Sequence, residues 1–270
     1  MLDKKIGFIG CGKMAEAIIG GLIKSELVPN HQISASAKTR ATVDKVVEKY
    51  AIAASIENRE IAKAADMLIL AVKPDLHKEV IEEILDLVKS EAVIITIAAG
   101  ISLEFLEETF RKKIKAVRVM PNTPSLVGEG MSAICANEEV NRQELQDVIR
   151  LFESFGKAEV LPEKLMDAVP AVSGSSPAYV YMFIEALADG AVQQGIARSQ
   201  AYTMAAQAVL GAAKMVLETG KHPGELKDNV CTPGGATIEA VTTLEKHGFR
   251  SSVVSAMEAC TEKAKKLKDA

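Results

Sequence analysis

The sequence has no tryptophan, and only 4% of its residues are aromatic. A surface that stacks nucleobases is therefore not expected. An excess of basic charge is missing too: 32 Lys and Arg stand against 36 Asp and Glu, a net charge of −4. Nucleic-acid-binding domains are usually basic, so no nucleic-acid partner is expected. The four cysteines, Cys11, Cys135, Cys231 and Cys260, show no CxxC spacing. They indicate neither a zinc site nor a disulfide framework. The four histidines are equally dispersed, and no metal is expected. No apolar run approaches the ~20 residues of a membrane span. The opening MLDKKIGFIG lacks the layout of a signal peptide. The expected compartment is the cytoplasm, with no membrane partner.

What is present is an ordinary globular composition, 48% hydrophobic and 25% charged, in 270 residues. That length suits one large domain or two modest ones. Up to about residue 160, strand and helix signals alternate. KIGFIG reads as a buried strand, followed by a helix over about 13–24. QISAS is a second strand before a helix through TRATVDKVVEKY. DMLILAV is a continuous apolar run of the parallel-sheet type. Pro74 then starts an amphipathic helix, PDLHKEVIEEILDLVK. AVIITIA, KAVRVM and MSAICA are further strands. Ser102 caps a helix to about Phe110, and Asn141 with Glu144 fits a capping box for a helix through Phe155. Such alternation predicts a doubly wound α/β domain over 1–162.

Beyond residue 162 the strand signals stop. Helices are expected over about 176–195, 199–220, 235–246 and 250 to the C-terminus, with a loop, HPGELKDNVCTPGGA, after the second. The predicted fold is α/β: an N-terminal Rossmann-type doubly wound sheet over 1–162, and an all-helical C-terminal domain over 163–270. The segment QAYTMAAQAVLGAAKMVL, 200–217, carries one charge, Lys214. A helix apolar almost all round is expected to be buried on every side. A helical domain this small has little interior to offer it. Burial against a second copy of the chain is the expected solution, driven by roughly 25 cal/mol per Å² of apolar surface.

In GFIGCGKMAEAIIGGL, Gly10-x-Gly12-x-x-Ala15 lies directly after the first strand and opens a helix. That context is what a dinucleotide fingerprint requires. Gly10 permits the tight turn, Gly12 lets backbone approach the pyrophosphate, and Ala15 allows close helix–strand packing. The N–H groups of the helix start face the phosphates. The second strand ends in SASAKTR, without the acidic residue that accepts from an NAD ribose. Ser36, Lys38 and Arg40 suit a 2′-phosphate instead, so NADPH is expected in preference to NADH. AVKP (71–74), AAG (98–100) and MPNTP (120–124) fall at the ends of later strands, along the edge where ligands of open α/β sheets bind. Lys73 is the one charge among them and is read as a cofactor contact or a surface charge. Near the C-terminus TPGGAT opens a helix at about Gly235, an anion site suited to a carboxylate.

Taken together, GFIGCGKMAEAII, AVKP, AAGI, MPNTP, SGSSPAYVYMFIEALADG and HPGELKDNVCTPGGATIEAV resemble the pyrroline-5-carboxylate reductases in order and spacing, over essentially the whole chain. DNVCTPGGATIEAVTTLE is the most specific element. Ser176 departs from the family pattern, which commonly has Gly in S-G-S-G-P-A-Y. The resemblance implies reduction of L-1-pyrroline-5-carboxylate to L-proline, the last step of proline biosynthesis, with NADPH or NADH. It implies that Thr237 hydrogen-bonds the ring nitrogen and that Asn229, Thr232, Gly234, Gly235 and Ala236 line the substrate. Cys11, Gly12, Lys13 and Met14 would lie at the pyrophosphate turn and Ser36 at the adenosine phosphate. Asn58, Ala71, Val72, Lys73 and Ala99 would lie along the cofactor. It also implies a homodimer through the C-terminal helices, and rings of dimers such as decamers.

Two other readings have less support. β-Hydroxyacid dehydrogenases share a two-domain layout but set a lysine and an asparagine on the helix that follows the glycine-rich turn. SGSSPAYVYMFIEAL has neither. A non-catalytic dinucleotide sensor would keep the Gly10 turn but has no use for TPGGAT.

Overall fold

The computed structural model describes residues 2–268. Met1, Asp269 and Ala270 lie outside the described residues, and with the last two goes the expected continuation of the final helix. By its internal contacts the chain divides into two compact units. The first comprises the residues up to Gly174 and those from Cys260 onward. The second is Ser175–Ala259.

The first unit holds β1 (Ile6–Ile9), α1 (Lys13–Lys24), β2 (Ile33–Ser36), α2 (Arg40–Tyr50), β3 (Ala53–Ser55) and α3 (Asn58–Ala64). There follow β4 (Met67–Leu70), α4 (His77–Ile84), β5 (Val93–Thr96), α5 (Leu103–Phe110), β6 (Lys115–Met120), β7 (Gly130–Ala136), α6 (Arg142–Glu153) and β8 (Gly156–Val160). The eight strands form one sheet in the order β3-β2-β1-β4-β5-β6-β7-β8. All neighbours run parallel except β6 and β7. The strand order reverses between β1 and β4, which makes their carboxyl ends the switch point at which such sheets bind ligands.

The central strands β1, β4 and β5 are buried at every residue, which is why they read as unbroken apolar runs. Ile6, Phe8, Met67, Ile69, Val93 and Ile95 join a core with α1, α2 and α6. Ile9, Leu68, Leu70 and Ile94 join a second core with α3, α4 and α5. The alternation of strand side chains between two helical layers is the doubly wound arrangement. Local signals hold at the helix starts. Ser102 Oγ accepts from the Phe105 N–H at 3.0 Å. Asn141 and Glu144 make both bonds of the capping box.

The first unit extends past the expected boundary at 162. Met166 and Val169 are buried in the sheet's second core, and Ala171 is buried as well. The buried Arg118 of β6 binds Asp167 at 2.8 Å and Glu163 at 3.6 Å. The short turns 163–168 and 170–174 are thus sewn to the sheet by apolar burial and by the pairing of a charge that would be costly left alone.

The second unit contains α7 (Ser176–Gln193), α8 (Arg198–Thr219), α9 (Pro223–Val230), α10 (Ala236–Lys246) and the start of α11 (Phe249–Lys268). Helix α9 occupies part of the segment expected to be a loop. Pro223 stands in its first turn and His222 caps it, Nδ1 accepting from the Gly224 N–H at 3.0 Å. The expectation that 200–217 is buried on all sides does not hold for the single chain. Only Ala201 and Ala205 of α8 are buried. Met204, Leu210, Met215 and Leu217 are each more than half exposed, as are Tyr181 and Met182 of α7. Among the described residues no helix is long and apolar enough to cross a membrane.

Candidate active site

The turn after β1 has the geometry that its glycines predict. Gly10 has φ +90°, and its N–H donates to the Ser36 carbonyl at 3.1 Å. A Cβ there would stand 2.8 Å from the Ala71 carbonyl oxygen and 2.9 Å from Val72 Cγ1, so both conformation and space require glycine. Gly12 is the N-cap of α1, and no side chain caps the helix. A Cβ on Gly12 would meet nothing within 4 Å. The uncapped N–H groups of Lys13 and Met14 therefore open on free space, as a phosphate cradle requires. Cys11 is buried in the core. Burial, reinforced by Glu16, pushes its thiol up to about 11, so it is held as the thiol near neutral pH.

The loops after β4 and β5 supply the remaining expected cofactor residues. Ala71 and Val72 are half-buried beside Gly10, while Lys73 and Ala99 are exposed. Ser36 differs from expectation. It is wholly buried, and its Oγ donates to Asn58 Oδ1 at 2.7 Å. Asn58 Nδ2 in turn donates to Glu83 Oε2 at 2.8 Å. The structure thus brings two of the expected cofactor residues, Ser36 and Asn58, into one bonded chain but withdraws the serine hydroxyl from the surface. The reason is strand periodicity: Ser36 pairs with Ile9, and its hydroxyl stays beneath the sheet edge. Lys38 and Arg40 are exposed, with Arg40 in a surface pair with Asp44 at 3.1 Å. Ser36→Asp would bury a carboxylate against the Asn58 side-chain oxygen to which the hydroxyl now donates. It is expected to lower Tm, and a thermal melt equal to that of the unsubstituted protein would contradict this burial.

The second group of expected residues gathers at one turn of the second unit. The Gly235 N–H donates to the Thr232 carbonyl at 3.0 Å, closing a turn in which Gly234 has φ +70°. A Cβ on Gly235 would come within 2.3 Å of Thr232 Oγ1. Gly235 is the N-cap of α10 and brings no capping side chain. Ala236 and Thr237 are thus the first two residues of α10, over an uncapped helix start. Thr237 is half-buried and takes no part in capping. Its hydroxyl has no hydrogen-bond partner among the described residues. Asn229 and Thr232 are exposed. No group of His, Cys, Asp and Glu among the described residues could hold a metal ion.

Comparison with known proteins decides the family. The profile described as pyrroline-5-carboxylate reductase dimerisation matches residues 163–267, and one described as NADP oxidoreductase, coenzyme F420-dependent, matches 5–100. The pyrroline-5-carboxylate reductase of Escherichia coli is 48% identical over 266 residues, 98% of this chain and 99% of its own. The chain belongs to the pyrroline-5-carboxylate reductase family. The Arabidopsis thaliana reductase is 40% identical over 97% of this chain and 95% of its own. Among solved structures, the reductase of Coxiella burnetii superposes with a TM-score of 0.93 at 34% identity, covering 98% of this chain and 99% of its own. The Plasmodium falciparum pyrroline carboxylate reductase, solved with NADP bound, superposes with a TM-score of 0.88 at 34% identity, covering 99% of both chains.

Sequence reasoning passed over His77, Thr96 and Glu83 near the expected cofactor residues. His77 had a readable signal. It occupies the apolar stripe of its helix, at the spacing His77, Val80, Ile81, Ile84, all four buried. Its burial disfavours the proton and outweighs the Lys73 carbonyl and Asp75, which favour it, so its pKa lies below the ordinary histidine value. In the unfolded chain the residue titrates near its usual pKa of about 6.5. The stability held by the neutral ring is therefore complete above that pH and is lost as pH falls through it toward the depressed folded value. His77→Leu is expected to flatten the fall of Tm between about pH 7 and about pH 5. Parallel Tm–pH curves for the two proteins would contradict it.

Proposed function

We propose that this chain reduces L-1-pyrroline-5-carboxylate to L-proline, with NAD(P)H supplying the hydride. The observation that carries the reading is the turn 232–237, in a chain that belongs to this family throughout. It sets an uncapped helix N-terminus beside a hydroxyl with no hydrogen-bond partner among the described residues. The N–H groups of Ala236 and Thr237, the first two of α10, bind the substrate carboxylate, and the helix dipole favours that charge. Thr237 Oγ1 meets the ring nitrogen, with Thr232 and Asn229 completing the substrate's polar contacts. The dinucleotide is held by Gly10, Cys11, Gly12, Lys13 and Met14 at the pyrophosphate. Asn58, tied to Ser36, and Ala71, Val72, Lys73 and Ala99 lie along the remainder.

The absence of a proton-transfer residue fits an imine. Neither α7 between Pro177 and Gly190 nor the segment 229–237 contains Lys or His. Oxidation of an alcohol removes a proton and calls for a base at the carbon–oxygen bond. A cyclic imine can be protonated before hydride arrives and needs only orientation at nitrogen. Catalysis then comes mainly from holding the two reacting carbons in place. Purified protein is expected to oxidise NADPH in the presence of pyrroline-5-carboxylate and to leave simple 3-hydroxyacids unchanged. Turnover of a hydroxyacid without turnover of the imine would contradict the proposal.

NADPH is the preferred donor in this reading because Lys38 and Arg40 are the exposed cations at the end of β2, where no acid stands. Replacing both by alanine is expected to lower kcat/KM for NADPH about tenfold while changing that for NADH less than about twofold, the scale of two charge-assisted phosphate contacts. Equal losses for both cofactors would place the 2′-phosphate elsewhere. The functional unit is a homodimer that covers the apolar faces of α7 and α8. A ring of dimers, such as a decamer, is the larger assembly that the family resemblance implies.

A further inference from the structure

A buried imidazole links two of the loops assigned to the dinucleotide. His77 opens α4 and is fully enclosed. Its Nδ1 lies 3.0 Å from the Lys73 carbonyl oxygen, and its Nε2 lies 3.0 Å from Thr96 Oγ1. Thr96 ends β5, is equally buried, and its Oγ1 accepts from the Ala98 N–H at 3.3 Å. A carbonyl can only accept, so Nδ1 carries the ring proton. Nε2 is then an acceptor, and the Thr96 hydroxyl donates to it. With its proton committed, Thr96 Oγ1 keeps a lone pair for the Ala98 N–H. This assignment of protons satisfies all three bonds with the ring neutral. The burial that opposes protonation of His77 favours the same state.

The geometry has a mechanical consequence. Strands β4 and β5 are neighbours, with Leu70 opposite Thr96, so the loops 71–74 and 97–100 leave the sheet edge side by side. Beyond the Leu70–Thr96 pair, the bond that ties the second loop to the end of β4 is long: Ile97 N–H to the Leu70 carbonyl at 3.4 Å. The path from the Lys73 carbonyl through His77 and Thr96 to the Ala98 N–H adds a second tie farther out. It ends on the two loops that hold Ala71, Val72, Lys73 and Ala99.

We propose that His77, acting through Thr96, is a positioning residue for the dinucleotide: it fixes the spacing of the loops 71–74 and 97–100 before the cofactor arrives. This rests on the assignment of those loops to NAD(P)H. His77 touches no reacting atom. Its effect is to settle the order of both loops during folding, so that binding need not supply it.

The test uses His77→Leu, Thr96→Val and Thr96→Ser in the full chain, with NADPH affinity read by cofactor fluorescence, kcat and KM for the imine, and Tm. Thr96→Val is nearly isosteric and carries the test should His77→Leu fail to fold. Thr96→Val and His77→Leu are each expected to raise the NADPH Kd about tenfold, the scale of losing one or two buried hydrogen bonds. KM for the imine should change less. Thr96→Ser restores the hydroxyl and should stay within about twofold. The double variant of His77→Leu and Thr96→Val should be no weaker than the weaker single one, because both break the same tie. A lowered Tm with NADPH Kd unchanged overturns the proposal, as do multiplicative effects in the double variant or a Thr96→Ser as weak as Thr96→Val. The unsubstituted protein is measured first. Failure of that protein to bind NADPH sinks the dinucleotide assignment itself and this proposal with it. Binding without turnover of the imine sinks the substrate reading alone.

Discussion

Thr237→Ala is expected to lower kcat about 10–100-fold while leaving the NADPH Kd and the melting temperature close to those of the unsubstituted protein. The size follows from the loss of one hydrogen bond made in the transition state, about 1.4–2.7 kcal/mol at 1.36 kcal/mol per tenfold. The selectivity follows from where the residue sits. Thr237 is the second residue of α10, but the N-cap is Gly235 and no side chain caps the helix. The Thr237 hydroxyl meets no internal partner among the described residues. Other threonines of the same helix, Thr242 and Thr243, turn their hydroxyls back to the Glu239 carbonyl at 3.0 and 2.9 Å. Removing the Thr237 hydroxyl therefore breaks nothing in the fold, and alanine suits a helix slightly better than threonine. Thr237→Ser keeps the oxygen and should retain most of the activity. Steady-state kinetics on both variants, beside a binding measurement for NADPH, check this. If alanine and serine behave alike, or if alanine weakens only the cofactor, the nitrogen's partner lies elsewhere, and Thr232 and Asn229 are the next candidates.

The second large effect concerns assembly. Leu210 lies in the middle of α8 and is 52% exposed in the single chain. In a monomer, Leu210→Glu would be harmless or mildly favourable, since it places a charge in water on a helix surface. In a dimer closed over α7 and α8 it buries an unpaired carboxylate on each side, at about 3–5 kcal/mol apiece. The dimer's Kd should rise at least ~10,000-fold, each 1.4 kcal/mol being a factor of ten. Sedimentation or light scattering should then show smaller particles, with activity falling in parallel. A variant that remains dimeric and active would remove α8 from the interface. The apolar groove of the same unit, where Phe183 and Phe249 face each other at 6.0 Å, extends the surface that a partner would cover.

Much of this was legible in the sequence because the physics that shaped it is local. β4 and β5 are buried on both faces and leave unbroken aliphatic runs. Ser102 and the Asn141–Glu144 pair announce their helices because the bonds they make lie within one turn. Gly10 is legible because no other residue fits its turn. Elements that depend on distant partners were not. β3 is three residues, Ala53–Ser55, held at the edge by β2 and without a branched apolar side chain to mark it. β8, Gly156–Val160, is largely exposed and reads as a polar stretch. Helix α9 hides behind Pro223 and Gly224, which signal a loop until His222 is seen to cap it. The antiparallel turn of β7 against β6 has no local signature at all. In the candidate site, the turn 232–237 was legible as a motif. The burial of Ser36 and the tie through His77 were not, because each depends on which way a side chain faces after strands have paired.

The central claim is that this chain transfers a hydride to a cyclic imine, and the most direct test is a balance of products. Purified protein is incubated with NADPH and pyrroline-5-carboxylate; cofactor loss is followed by absorbance and proline by amino-acid analysis. One proline is expected for each NADPH oxidised, with neither change when the imine or the protein is omitted. NADPH oxidation without matching proline, or no oxidation under conditions where the protein binds NADPH, would contradict the account.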